Sequence, residues 1–285
     1  GDINGDGFDD LIFGAPGTAG ESVYPGVSVV VFGKAKGFTA VVDAGALDGL
    51  NGFVIEDAEF GDESGAAVSS AGDVNGDGFD DLLVGAPRGY GPSYSRTGDS
   101  YIIFGRDTGA VSQLGDAGDN TLIGTGGRDV LIGGLGNDFL TGAGSSDVLI
   151  GGAGDDILNV ANARFGRADG GAGVDTLRVA GAGQVLDFVV LGDQHVSDIE
   201  GIDLAGGNST LGLNALAVRA LSSTSNSLRV TGGAGNLLAL SDVGWVSTAI
   251  DANTVTLQKG FAEIVVDRDF AVSAVNLDPV GVNEA

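Results

Sequence analysis

Residues 115–159 read GDAGDNTLI GTGGRDVLI GGLGNDFLT GAGSSDVLI GGAGDDILN, tandem nonapeptides in which glycine, an acidic or amide residue and leucine return at fixed offsets. The eighth position is always leucine: Leu122, Leu131, Leu140, Leu149 and Leu158. The sixth holds Asn120, Asp129, Asp138, Asp147 and Asp156. The first six residues of each unit are too rich in glycine for regular structure and suit tight turns with positive φ, whereas the last three, such as Val130-Leu131-Ile132, have strand character. One nonapeptide cannot bury its leucine alone. Stacking two per coil predicts a parallel β-roll, with the leucines in a central ladder and the aspartates at the turn edges.

Carboxylates stacked at successive turns repel one another, in a segment whose glycines already make ordering entropically costly. A hard cation resolves the conflict. Calcium accepts about six to eight oxygens, and a turn offering one aspartate plus glycine carbonyls provides half of such a shell. These residues resemble the RTX (haemolysin-type) calcium-binding nonapeptide GGxGxDxUx. The resemblance implies ions held between turns two repeats apart, pairing Asn120 with Asp138, Asp129 with Asp147, and Asp138 with Asp156. Two positions depart from the pattern, Asn120 in the first copy and Ser145, which replaces the fourth-position glycine of the fourth. A further copy, GGAGVDTLR from Gly170, follows the break VANARFGRAD, and its Asp175 is either a ligand or a cap of the roll.

At the start of the chain GDINGDGFDDLIFGAP recurs as GDVNGDGFDDLLVGAP. The pattern DxNxDGxxD sets oxygens at alternate loop positions: Asp2, Asn4, Asp6 and Asp10, then Asp73, Asn75, Asp77 and Asp81, with the carbonyls of Phe8 and Phe79 completing each loop around calcium. An EF-hand is excluded, since Phe13 and Val84 stand where its last glutamate belongs and the flanks Leu11-Ile12-Phe13 and Leu82-Leu83-Val84 read as strands. With Phe32-Gly33, Gly14-Ala15-Pro16, Phe104-Gly105 and Gly85-Ala86-Pro87, these pieces resemble the FG-GAP repeat of integrin-α-type β-propellers. A ring needs about four to eight blades and this stretch holds barely two, so residues 1–106 read as the last blades of a longer propeller, with exposed strand edges near Gly1.

The whole sequence is predicted to be all-β: incomplete FG-GAP blades over 1–110, an RTX parallel β-roll over 111–180, and a β-rich C-terminal domain over 181–285. In that last region short apolar runs such as Val185–Leu191, Leu237–Leu240 and Ile264–Val266 read as an antiparallel or solenoidal β-domain, with one helix at 214–221. GGAGNLLAL at Gly232 mimics a nonapeptide but has Leu237 at the acidic position, so no calcium is expected there. Trp245 reads as a packing residue, and His195, the single histidine, as solvated.

A net charge of −26 excludes nucleic acid as a partner. The absence of cysteine excludes disulfides and thiolate sites, and no stretch is apolar enough to span a bilayer. No methionine occurs and the first residue lies inside a motif, so the chain reads as a fragment or processed product. Neither a nucleophile elbow nor a phosphate-binding glycine loop is present, and no enzyme is expected in these residues. The expectation is a secreted or cell-surface bacterial protein that binds several calcium ions and folds after export. Its blades would meet a protein or glycan partner. The RTX resemblance implies type I export, with a signal near the C-terminus for which residues 261–285 are suited. The alternative is the noncatalytic C-terminal part of a secreted protease, lipase or phosphatase.

Overall fold

The computed structural model describes residues 1–16, 26–34, 38, 41–56, 62–89, 97–144, 146–191, 196–222 and 225–274. His195, Ser145 and residues 275–285 of the expected export-signal region lie outside them. The chain divides into two compact units, Gly1–Asn75 with Phe79–Val111, and Ser112–Ala285 with Gly76–Gly78.

The first unit contains two antiparallel three-stranded sheets. One is built of β1 (Leu11–Ala15), β2 (Val27–Val31) and β3 (Gly52–Glu56), the other of β4 (Ala67–Gly72), β5 (Asp81–Ala86) and β6 (Asp99–Ile103). The loop at 73–80 joins β4 to β5, whereas the loop at 1–10 enters β1 with no strand before it. Ile3, Val30, Phe32 and Leu82 form the core, with Ile12, Phe53, Ile55 and Ile103 packed on it and the Phe32 and Phe53 rings edge-on at 5.8 Å. The glycine of each Phe-Gly pair has a steric reason. A Cβ on Gly33 would strike the Asp9 carbonyl and the Phe8 side chain, and one on Gly105 would strike Asp80 and Phe79 in the same way.

The second unit is the parallel roll. Leu122, Leu140, Leu158 and Leu177 pair rung by rung in one sheet, while Leu131, Leu149 and Ala168 do so in the facing one. Alternate nonapeptides therefore feed opposite sheets, and both leucine ladders point into a shared core. Burial of one such leucine contributes about 1.5–3 kcal/mol. Backbone crowding at the turns selects glycine: Gly152 sits at φ +104°, and its Cβ would collide with the carbonyl of Gly134.

The structure places no seam at residue 180. Leu177 pairs in parallel with Ile202, Ile202 with Val230, and Val230 with Val266, so the described residues from 181 to 274 prolong the sheet and core of the roll instead of forming a separate domain. A further parallel ladder, Leu186, Leu211, Leu238 and Val272, adds to that extension. Antiparallel pairing enters at the end, where Val246–Ile250, Thr254–Lys259 and Ala262–Asp267 turn back on one another. The helix is Ala215–Leu221, capped by the Asn214 side chain accepting from the Ala217 N–H at 2.7 Å and burying Ala217, Val218 and Leu221. The run Val185–Leu191 is not one strand: the Asp187 carboxylate accepts the Val189 N–H at 3.1 Å and starts a helical turn at Phe188. Trp245 is wholly buried, its Nε1–H donating to Asp242 at 2.7 Å.

Candidate metal centre

Two turn edges run along the roll. On the first, the turns ending at Asn120, Asp138, Asp156 and Asp175 stack above one another, and each carboxylate accepts the backbone N–H of the preceding rung. Asn120 donates to Asp138 Oδ1 at 2.7 Å, Asp138 to Asp156 Oδ1 at 2.7 Å, and Asp156 to Asp175 Oδ1 at 2.8 Å. This uses only one oxygen of each acid. The Oδ2 atoms of Asp138, Asp156 and Asp175 are buried without a hydrogen-bond partner among the described residues. A Cβ on Gly133 would strike both Asp138 Oδ2 and the Gly151 carbonyl oxygen, and one on Gly151 would strike both Asp156 Oδ2 and the Gly170 carbonyl oxygen. An unpaired carboxylate oxygen and a carbonyl from the next coil thus border one small space at each rung. Buried carboxylate oxygens without a hydrogen-bond donor, each beside a carbonyl oxygen, fit a hard cation, and calcium bound there would neutralise charge that burial otherwise penalises.

Asn120 starts this edge differently. Its Oδ1 accepts the Asp116 N–H at 2.7 Å and its amide donates to Asp116 Oδ1 at 3.2 Å, so the first turn is closed by hydrogen bonds of its own.

On the second edge the Asp129 N–H donates to Asp147 Oδ1 at 3.0 Å. Here the remaining oxygens are engaged locally: Asp129 Oδ2 accepts from Thr125 N–H and Oγ1–H at 2.7 and 2.9 Å, and Asp147 Oδ2 from Gly144 N–H at 3.2 Å. Asp147 is the last acid of this edge, since its carbonyl meets Gly166 and Arg167 where the repeat is broken.

The propeller loops are held by the same kind of contact. Asp2 accepts the N–H groups of Asp6 and Gly7, Asn4 that of Asp6, and Asp6 that of Phe8, all between 2.7 and 3.1 Å. The closing acid of each loop is a clasp: Asp10 takes Ile3 N–H at 2.9 Å and Gly33 N–H at 2.7 Å, and Asp81 takes Val74 and Gly105 N–H at 2.9 Å each. Asp73, Asn75, Asp77 and Phe79 occupy the second loop at the positions of Asp2, Asn4, Asp6 and Phe8. Among the described residues no three acidic, histidine or cysteine side chains converge as a cage, so any shell must draw on backbone carbonyls.

Burial pushes Asp156 up to about 6 and Asp175 up to about 7; the N–H bonds they accept oppose this, and the neighbouring carboxylates add to it. Asp138 is raised by the same cause, and desolvation lifts Asp10 to about 6. Asp116 lies below its ordinary value because the Gly118 N–H, then the Asn120 side chain, favour its charged form.

Sequence reasoning missed an outer ladder on the first edge, where Asn137 N–H donates to Asp119, Asp155 N–H to Asn137 and Val174 N–H to Asp155, at 2.8 to 2.9 Å. Its signal was the acid or amide at position five of alternate copies, against Arg128 and Ser146 in the others. It missed a neutral continuation as well. Gln184 N–H donates to Ser209 Oγ at 3.0 Å and Ser209 N–H to Asn236 Oδ1 at 2.9 Å, while the Asn236 amide donates to the carbonyls of Leu204 and Gly233. Asn236, not Leu237, is the residue at the ladder position.

This geometry defines an all-β, calcium-binding chain of propeller blades followed by a parallel β-roll. The FG-GAP repeat family matches residues 1–31 and 64–103, and the RTX calcium-binding nonapeptide repeat matches 114–149 and 134–162. Among curated proteins the chain is similar to integrin alpha-6 of Gallus gallus, 30% identical over 130 residues, and to integrin alpha-V of the same species, 36% identical over 113. It is also similar to phosphatidylinositol-glycan-specific phospholipase D of Bos taurus, 33% identical over 115 residues. These matches cover 44%, 38% and 39% of this chain but only 10%, 10% and 13% of the three relatives. Both repeat types are typical of extracellular proteins. Among the described residues no helix is long and apolar enough to cross a membrane.

Proposed function

We propose that this chain belongs to a secreted or cell-surface bacterial protein with an adhesin-like role, whose roll folds on calcium after export through a type I system. The observation that carries this reading is the column of buried, unpartnered oxygens at Asp138, Asp156 and Asp175. Such a column opposes folding where calcium is scarce, and extracellular modules bind the ion with dissociation constants of about 0.1–1 mM. The chain therefore stays unfolded in the roll, and exportable, until it meets millimolar calcium. The two propeller loops hold further ions, and the blades present the surface for a protein or glycan partner.

Circular dichroism of the full chain tests this, first depleted of calcium and then at millimolar calcium. A large gain of β signal is expected for the parent. Joint replacement of Asp129, Asp138 and Asp147 by Asn should abolish most of that gain while the N-terminal loops still bind. A full β spectrum in calcium-free buffer would overturn the export-switch reading.

The similarity to a phospholipase D supports a second reading, in which these residues are a noncatalytic part of a secreted enzyme. Full-length sequence separates the two. A metalloprotease helix or nucleophile elbow in the same polypeptide favours the enzyme, and more FG-GAP blades favour adhesion.

A further inference from the structure

The two sheets of the first unit repeat the same strands. Aligning GDINGDGFDDLIFGAP with GDVNGDGFDDLLVGAP sets Leu11 against Leu82, Ile12 against Leu83 and Phe13 against Val84. Aligning GVSVVVFGK with GDSYIIFGR sets Val30 against Ile102 and Phe32 against Phe104. Side chains alternate between the faces of a sheet, so each sheet has two unlike faces. In the first sheet Ile12 pairs with Val30 on one face, while Leu11 pairs with Val31 and Phe13 with Val29 on the other. In the second sheet the equivalent first face carries Leu83 paired with Ile102, and the other face Leu82 paired with Ile103 and Val84 with Tyr101. One contact joins the sheets: the first face of the first sheet, through Ile12, Val30 and Phe32, shares a core with Leu82 and Ile103 on the second face of the second sheet.

The other two faces are bare. Leu83, Ile102 and Phe104 are 42%, 51% and 55% exposed, although their counterparts Val30 and Phe32 are buried. Leu11 and Phe13 are about half exposed, although their counterparts Leu82 and Val84 are buried. Each copy therefore carries, uncovered, both halves of a contact that it already makes internally. We infer that copies of this chain associate head to tail, the face of Leu83, Ile102 and Phe104 on one copy covering the face of Leu11 and Phe13 on the next. A second copy is the occupant because the surface it offers is the one whose counterpart, Ile12, Val30 and Phe32, already fits against Leu82. Removing these large apolar side chains from water drives the association. The contact joins unlike surfaces, so it adds copies one at a time instead of stopping at a symmetric pair.

The test is sedimentation velocity of the full chain at tens of micromolar in millimolar calcium. The parent should form species of more than two copies. Phe13→Asp and Ile102→Asp each place a charge in one half of the contact, and each variant alone should sediment as a monomer. An equimolar mixture of the two should form a two-copy complex and stop there, because each variant supplies the sound face that the other lacks. Association of Ile102→Asp to the parent's extent would mean that Leu11 and Phe13 meet their own kind, and that result overturns the inference, as does a monomeric parent or a mixture that stays monomeric. Since the chain has no cysteine, Leu11→Cys and Leu83→Cys provide a second reading that puts no charge in the contact. On mild oxidation the mixture should yield disulfides between one variant and the other, and neither variant alone should cross-link. Absence of the mixed disulfide, or equal cross-linking within either variant by itself, would overturn the head-to-tail order.

Discussion

Asp156 and Asp175 couple the roll to pH as well as to calcium. An aspartate in an unfolded chain titrates near 3.9, whereas these two, metal-free in the folded roll, are lifted to about 6 and about 7 by burial. A raised folded-state value favours the protonated form of the native chain. The associated stability is fully present below pH about 4 and is lost as pH rises through 6 to 7, on the order of several kcal/mol for the pair. The calcium-depleted roll should therefore gain a melting transition near pH 4 to 5 and have none near pH 8. In millimolar calcium the trend should reverse, because protons leave the sites as pH rises. Melts across pH 4–8 with and without calcium check this, and a flat calcium-free profile would count against it. The propeller loops separate two residue roles. Asp81→Ala strands the Val74 and Gly105 N–H groups and should cost about 2–4 kcal/mol with or without calcium. Asp77→Ala should remove one ion in a calorimetric titration and leave the roll's transition intact. If Asp81→Ala were harmless in calcium-free buffer, the clasp would be no more than a metal ligand.

Within the second unit, one type of coil is closed by two kinds of rung. From Asp138 to Asp175 the ladder is acidic with orphaned oxygens, while from Gln184 through Ser209 to Asn236 it is neutral and satisfied. A neutral ladder makes no demand on a cation. Asn236→Leu would take the side-chain partner from the Ser209 N–H and the Gly233 carbonyl at a fully buried position, while the Leu204 carbonyl keeps the Gly207 and Gly233 N–H groups, a loss of about 2–4 kcal/mol. Denaturant titration in millimolar calcium should show this loss with the number of bound ions unchanged, unlike any substitution at Asp138 or Asp156. Loss of a bound ion in Asn236→Leu would contradict the division into two kinds of coil.

The first unit leaves an apolar sheet face uncovered. Leu11 and Phe13 on β1 are 48% and 54% exposed, and with Val29, Val31, Phe38, Val42 and Ala44 they line an apolar cleft of about 390 Å³. In a propeller such a sheet face is covered by the adjacent blade, and a blade without that neighbour hides it by association. Light scattering of the isolated chain should show concentration-dependent self-association at tens of micromolar, and Phe13→Asp should shift the population toward monomer. A stable monomer at high concentration would show that the face tolerates water.

Local chemistry sufficed for much of this architecture. The nonapeptide period specified which leucines stack and which acids share an edge, because a parallel coil of constant length turns sequence offset directly into spatial register. The DxNxDGxxD spacing with its Phe-Gly partner located both propeller loops, and Asn214 announced the one helix of more than a turn among the described residues. Tertiary structure alone determined that the roll runs on past residue 180, that Glu200 and Asn236 stand on its ladders, and that the two edges differ in the oxygens they leave unpaired. The cause is coil length. Once the turn at Phe188–Leu191 and the helix at Ala215–Leu221 enter the coils, rungs lie 25 to 27 residues apart, and register is then held by interstrand hydrogen bonds and core packing, which no fixed period in the sequence encodes.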